Sequence, residues 1–111
     1  MHGNDYQRAA LRTAPHYAYP MDMITNGVMG LAGEAGECVD MVKKARYQGH
    51  DLDTEHLAKE LGDLCWYVAL TAYAIGFDMD TIMERNVEKL KKRYPEGFSA
   101  ERSRNREEGD V

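Results

Sequence analysis

ITNGVMGLAGEAGECVDMV (residues 24–42) carries Ile24, Val28, Leu31, Ala35, Cys38, Val39 and Val42 at the three-and-four spacing of an α-helical apolar stripe. Inside it lies the acidic pair Glu34-x-x-Glu37. A second stretch, HLAKELGDLCWYV (56–68), holds Glu60-x-x-Asp63 in the same kind of helical pattern. Residues three apart on a helix are neighbours on one face, roughly 60° apart around the axis. Two such pairs on facing helices bring four carboxylates together. Uncompensated, that cluster repels itself and raises its own pKa values, and a divalent cation relieves both effects. Oxygen ligands without His or Cys suit Mg²⁺, Mn²⁺ or Ca²⁺ rather than zinc or copper. The first expectation is a hard-metal site built by a helix pair.

Working outward, NDYQRAALRTA (4–14) reads as a short first helix with Asn4 or Asp5 as N-cap. A proline-bearing connector over 15–22 follows, and the second helix is expected from about Met23 to Tyr47. Gly27, Gly30, Gly33 and Gly36 weaken it, by up to ~1 kcal/mol each against Ala. Such a half-helix survives where a partner packs closely against it. Gly49 reads as its stop and Asp53 as the next cap. The third helix runs to about Ile75, with Gly76 beyond its end. It is apolar nearly all round and therefore expected to be buried on both faces. A chain this short can hardly cover both alone, which predicts an oligomer. The fourth helix starts near Asp78 or Asp80, with Thr81-x-x-Glu84 resembling a capping box, and ends at Tyr94 because Pro95 cannot continue it. The expected fold is all-α, a four-helix bundle-like domain over residues 1–98. The polar tail, residues 99–111, is expected to be partly disordered.

With 111 residues and 43% apolar composition, one small domain is all the chain holds. Its net charge of −5 argues against polymeric nucleic acid as a partner, which needs a broad basic face. Cys38 and Cys65 lie on apolar helical segments without CxxC spacing and read as free thiols of a reducing compartment. No signal peptide or membrane-length apolar run is evident. A cytoplasmic protein away from membranes is expected.

Beside the core stripe of the fourth helix, Asn86, Lys89 and Arg93 form a polar row. Amide and cationic donors of this kind suit a phosphate. Lys44 lies on the Glu37 side of its helix and either joins them or pairs with Asp40. Tyr67 leans to the carboxylate side and offers a ring to a base. Trp66 points away from the carboxylates by about 100° or more on the helical wheel and reads as core or interface. His16 and His50 fall in loops, either at a pocket mouth or on plain surface. A di-iron bundle wants Glu-x-x-His on two helices, which this chain lacks. There is also no glycine-rich phosphate loop ending in Lys-Ser/Thr. The chemistry left is metal-assisted attack of water on a phosphoanhydride.

At these residues the chain resembles the MazG-like nucleotide pyrophosphohydrolases of the all-α NTP pyrophosphohydrolase superfamily. The resemblance runs through NDYQ (4–7), GLAGEAGE (30–37), GHDLD (49–53), KELGDLCWY (59–67) and NVEKLKKRYPEGF (86–98), nearly the whole chain. It implies Mg²⁺-dependent hydrolysis of a nucleoside triphosphate to the monophosphate and pyrophosphate. Glu34, Glu37, Glu60 and Asp63 are then the catalytic metal ligands, with Mn²⁺ a possible substitute. Asn86 and Lys89 match positions that contact the nucleotide, with Arg93 as a phosphate neighbour and Lys44 and Tyr67 as further substrate contacts. The resemblance also implies a homodimer or homotetramer. Members similar to dimeric dUTPases often carry an extra Glu before the first signature Glu, where this chain has Gly33, so the general base stays unassigned. Two rival readings stay open: a catalytically weak metal- and nucleotide-binding interaction module, and a pyrophosphohydrolase for another phosphoanhydride such as phosphoribosyl-ATP.

Overall fold

The computed structural model describes residues 1–111 as five α-helices and no strand. They are α1 (Gly3–Leu11), α2 (Pro20–Tyr47), α3 (Thr54–Ala74), α4 (Met79–Arg93) and α5 (Ala100–Arg104). The punctuation residues act where expected. Gly49 takes φ +72 beyond α2 and Gly76 takes φ +84 beyond α3. The Asp53 side chain caps α3 by accepting the His56 N–H, and Asp78 caps α4 by accepting that of Thr81. Two helix starts differ. α1 begins at Gly3 with His2 as its N-cap, so Asn4 and Asp5, the expected caps, lie inside its first turn. α2 begins at Pro20 rather than near Met23, because proline at the first helical position lacks only an N–H that has no partner there anyway.

α2 and α3 form an antiparallel hairpin, and two glycines set its spacing. A Cβ on Gly30 would collide with the Tyr67 ring, and one on Gly27 with the Thr71 hydroxyl. The expectation for the other two glycines is corrected: Gly33 and Gly36 face open space, with nothing within 4 Å of a built Cβ. Only half of the glycine run brings these two helices together.

α1 crosses the far half of α3 and meets the start of α4. Here Ala69, Ala72 and Met79 are buried together, with Tyr6, Ala10, Val68, Phe77 and Ile82 packed around them; Leu70 is buried outside this cluster. Gln7 holds this corner. Its Nε2 donates to the carbonyls of Ala69 and Phe77, and its Oε1 accepts the Met79 N–H, each at 3.2 Å. Asn4 and Asp80 add a reciprocal pair, each side chain accepting the other's backbone N–H at 2.9 and 3.3 Å.

The bundle expected from four helices is reached only in part. α4 packs on α1 and only slightly on α3, so its apolar residues Met83, Val87 and Leu90 are exposed. Just six of 111 residues are buried. The radius of gyration, 17.1 Å, exceeds the ~13 Å of a compact domain of this length. α3 is correspondingly uncovered on one side, with Leu61 and Tyr73 exposed. No helix is long and apolar enough to cross a membrane.

Past Pro95, Gly97 turns the chain at φ +94 and the Ser99 hydroxyl caps α5. A second turn at Gly109, φ +86, returns the chain end to α4.

Candidate metal centre

The close approach at Gly30 and Tyr67 sets the register of α2 on α3, and one turn further along it Glu34 meets Glu60 and Asp63. Each of the three offers a carboxylate oxygen, and these oxygens lie within 4.8 Å of one another. Glu34 and Glu60 are half-buried and Asp63 is exposed. Glu37, the fourth expected ligand, is outside this group and exposed, one turn along α2.

The electrostatics follow from the crowding. Glu34 is pushed up to about 7, first by a hydrogen bond shared with Glu60, then by burial and by the charges of Glu60, Asp63 and Glu37. Glu60 is held below the usual carboxylate range by the same hydrogen bond, and His56 acts in the same direction. The His56 Nε2 stands 3.0 Å from Glu60 Oε1. Carboxylates this close repel one another, and a cation between them would relieve that repulsion. The all-oxygen donor set, supported from behind by an imidazole, fits a hard divalent ion. Glu34, Glu60 and Asp63 are the residues that could hold it.

The cleft beside the carboxylates, about 380 Å³, is lined by Glu34, Asp63, Trp66 and Tyr67. Tyr67 is therefore where it was expected. The two rings meet edge to face with centroids 5.0 Å apart. The expectation for Trp66 is corrected: it borders the cleft. Measured from Asp63, three residues earlier, Trp66 is only about 60° round the helix; measured from Glu60 alone, it looks remote. Its Nε1 donates to the Ala10 carbonyl and the Thr13 hydroxyl, both at 2.9 Å, which ties the end of α1 to the cleft wall.

The other predicted residues lie apart. Lys44 pairs with Asp40 at 2.8 Å, the second of its two expected roles. Asn86 is exposed on α4. Lys89 and Arg93 line a separate cavity between α4 and the chain end, so within one chain the cationic row does not face the carboxylates. His16 and His50 are exposed. His56 is the site residue that sequence reasoning passed over, although its position four residues before Glu60 puts both on one helical face.

An all-helical hairpin thus presents convergent carboxylates beside aromatic rings. Residues 25–98 match the MazG nucleotide pyrophosphohydrolase domain. The chain is also 36% identical over 108 residues to the Gene 37 protein of Mycobacterium phage L5, covering 87% of this chain and 92% of that one. No solved structure matches. The chain belongs to the MazG nucleotide pyrophosphohydrolase family.

Proposed function

We propose that the protein hydrolyses (deoxy)nucleoside triphosphates to nucleoside monophosphate and pyrophosphate, using Mg²⁺ or, in its place, Mn²⁺. The observation that carries this reading is the convergence of Glu34, Glu60 and Asp63 within 4.8 Å beside the Trp66–Tyr67 cleft, in a chain of the MazG family. Bound there, the ion would supply charge neutralisation for the phosphates and a lowered pKa for water. Glu34, Glu60 and Asp63 would hold it, and Glu37, outside the cluster, would take a proton from water. Tyr67 and Trp66 give a base an apolar wall. His56 keeps the Glu60 carboxylate turned and ionised.

Asn86, Lys89 and Arg93 contact the nucleotide in this reading. Because Lys89 and Arg93 line a different cavity in a single chain, another copy brings them to the carboxylates, and the working form is a homodimer or homotetramer. The exposed apolar stripe Met83, Val87 and Leu90 supports such an assembly. A reducing cytoplasm suits its two free thiols.

The test is pyrophosphate release from a nucleotide panel with Mg²⁺, in the protein and in Glu60→Gln and Asp63→Asn. Turnover in the protein and its loss, by at least about 100-fold, in both variants with helicity retained is the expected result. Binding of Mg²⁺ and nucleotide without pyrophosphate release would leave only a binding module.

A further inference from the structure

The cavity between α4 and the chain end has a volume of about 750 Å³, within the range of small-molecule sites. Its walls are charged almost throughout. Arg85, Lys89, Lys92 and Arg93 come from α4, and Arg102 and Arg106 from the tail. Five carboxylates stand among them, Glu84, Glu88, Glu107, Glu108 and Asp110, and of these only Asp110 makes an ion pair with a cation of the wall. Asp110 grips Arg93 with both carboxylate oxygens, accepting from Nε at 2.9 Å and from a terminal guanidinium nitrogen at 2.7 Å. The Val111 carbonyl accepts from Lys89 Nζ at 3.0 Å.

This is not an ordinary surface ion pair. The two side chains are only 10% and 17% exposed, whereas every other ion pair has a partner at least 43% exposed. Two-point gripping of a planar carboxylate is the geometry by which arginine also takes a phosphate. A glycine turn presents Asp110. Gly109 sits at φ +86, a conformation that side chains rarely adopt, and the Asp110 N–H donates to the Glu107 carbonyl at 3.1 Å.

We propose that residues 107–111 are an intramolecular competitor for polyphosphate, with Asp110 occupying Arg93 and the Val111 carbonyl occupying Lys89 until a phosphate chain displaces them. This rests on the reading of Lys89 and Arg93 as phosphate contacts. A triphosphate carries several anionic oxygens where Asp110 offers one carboxylate, so it displaces the tail, but at reduced apparent affinity. The tail thereby raises the nucleotide concentration at which the cationic row fills, without entering the carboxylate cleft.

Calorimetric titration of inorganic triphosphate into the metal-free protein tests this independently of turnover. Asp110→Asn is expected to bind about tenfold more tightly than the unaltered protein, since it loses the charge but keeps the shape. Gly109→Ala, which leaves the carboxylate but strains the turn, is expected to move the same way. Arg93→Gln binds more weakly in either background. Equal affinity in the unaltered protein and both tail variants, with Arg93→Gln still weaker, overturns the competition and leaves the phosphate contact standing. Indifference to Arg93→Gln overturns both. Tighter triphosphate binding by Asp110→Asn, in a protein that releases no pyrophosphate from any nucleotide, sustains the competing tail and removes only the proposed catalysis.

Discussion

The Tyr67 ring occupies the space that a side chain at position 30 would need: a Cβ added to Gly30 would fall on the ring itself. The α2–α3 spacing, and with it the distance from Glu34 to Glu60 and Asp63, depends on that one missing atom. Gly30→Ala is therefore expected to destabilise the protein by about 1–3 kcal/mol through overpacking, although alanine is the better helix former by up to ~1 kcal/mol. Gly33→Ala meets nothing within 4 Å in the single chain and is expected to stabilise it by a few tenths to ~1 kcal/mol. Urea unfolding of the two variants checks the pair, and equal effects would show that Tyr67 gives way freely.

The raised Glu34 carboxyl gives a signed pH dependence. Glu34 is raised to about 7 in the fold, above its ordinary value, so the folded state takes up its proton more readily than the unfolded one. The resulting stabilisation is fully present below the unfolded value and is lost as pH rises through about 7. Metal-free protein is thus expected to lose thermal stability between pH 5 and 8 from this group, and Glu34→Gln to flatten that part of the profile. Mg²⁺ affinity should rise over the same interval, because the ion must displace the proton. Melting scans against pH, with and without Mg²⁺, check both. A flat profile in the unaltered protein would remove the raised Glu34 carboxyl.

Trp66 donates to both Ala10 and Thr13, so its loss acts first on α1. Trp66→Phe keeps an aromatic wall and deletes the donor, leaving the Ala10 carbonyl short of one partner. The expected cost is about 1–2 kcal/mol, with faster amide exchange at the end of α1 and in residues 12–14 and little change in α3. Hydrogen exchange resolved along the chain reads this directly. Uniform acceleration would instead mean that the indole supports the whole hairpin.

What could be read from the residues was whatever one helix decides alone. Asp53, Asp78, Gly49, Gly76 and Pro95 mark element ends by local backbone chemistry, and Glu34, Glu60, Asp63 and Tyr67 share faces by simple periodicity. Pro20 was harder to place, since a proline reads equally as the end of a connector or the first turn of a helix. Spacing along a helix says nothing of where that helix lies. Hence Lys89 and Arg93, well phased on α4, line a cavity remote in kind from the carboxylates. The grip of Asp110 on Arg93 joins positions 17 residues apart across two turns, and no periodicity announces it. Glu37 shares the Glu34 face, yet its side chain stays outside the cluster.

Gln7 is the buried polar residue on which three helices converge. With 6% of its surface exposed, it spends its amide on the Ala69 and Phe77 carbonyls and its oxygen on the Met79 N–H. The Ala69 carbonyl lies inside α3, but the Phe77 carbonyl and the Met79 N–H lie at the passage into α4, where a helix end leaves such groups without intrahelical partners. Gln7→Leu fills nearly the same volume but strands those groups away from water, each at about 1–3 kcal/mol. A loss of roughly 2–4 kcal/mol is expected in a small domain whose whole stability is of order 5–15 kcal/mol. Gln7→Glu keeps one acceptor for the Met79 N–H but sets a carboxylate against two carbonyls, so it is expected to be worse at pH 8 than at pH 4. Chemical unfolding at the two pH values tests this, and a Gln7→Glu variant equally stable at both would show that water reaches the corner where α1, α3 and α4 meet.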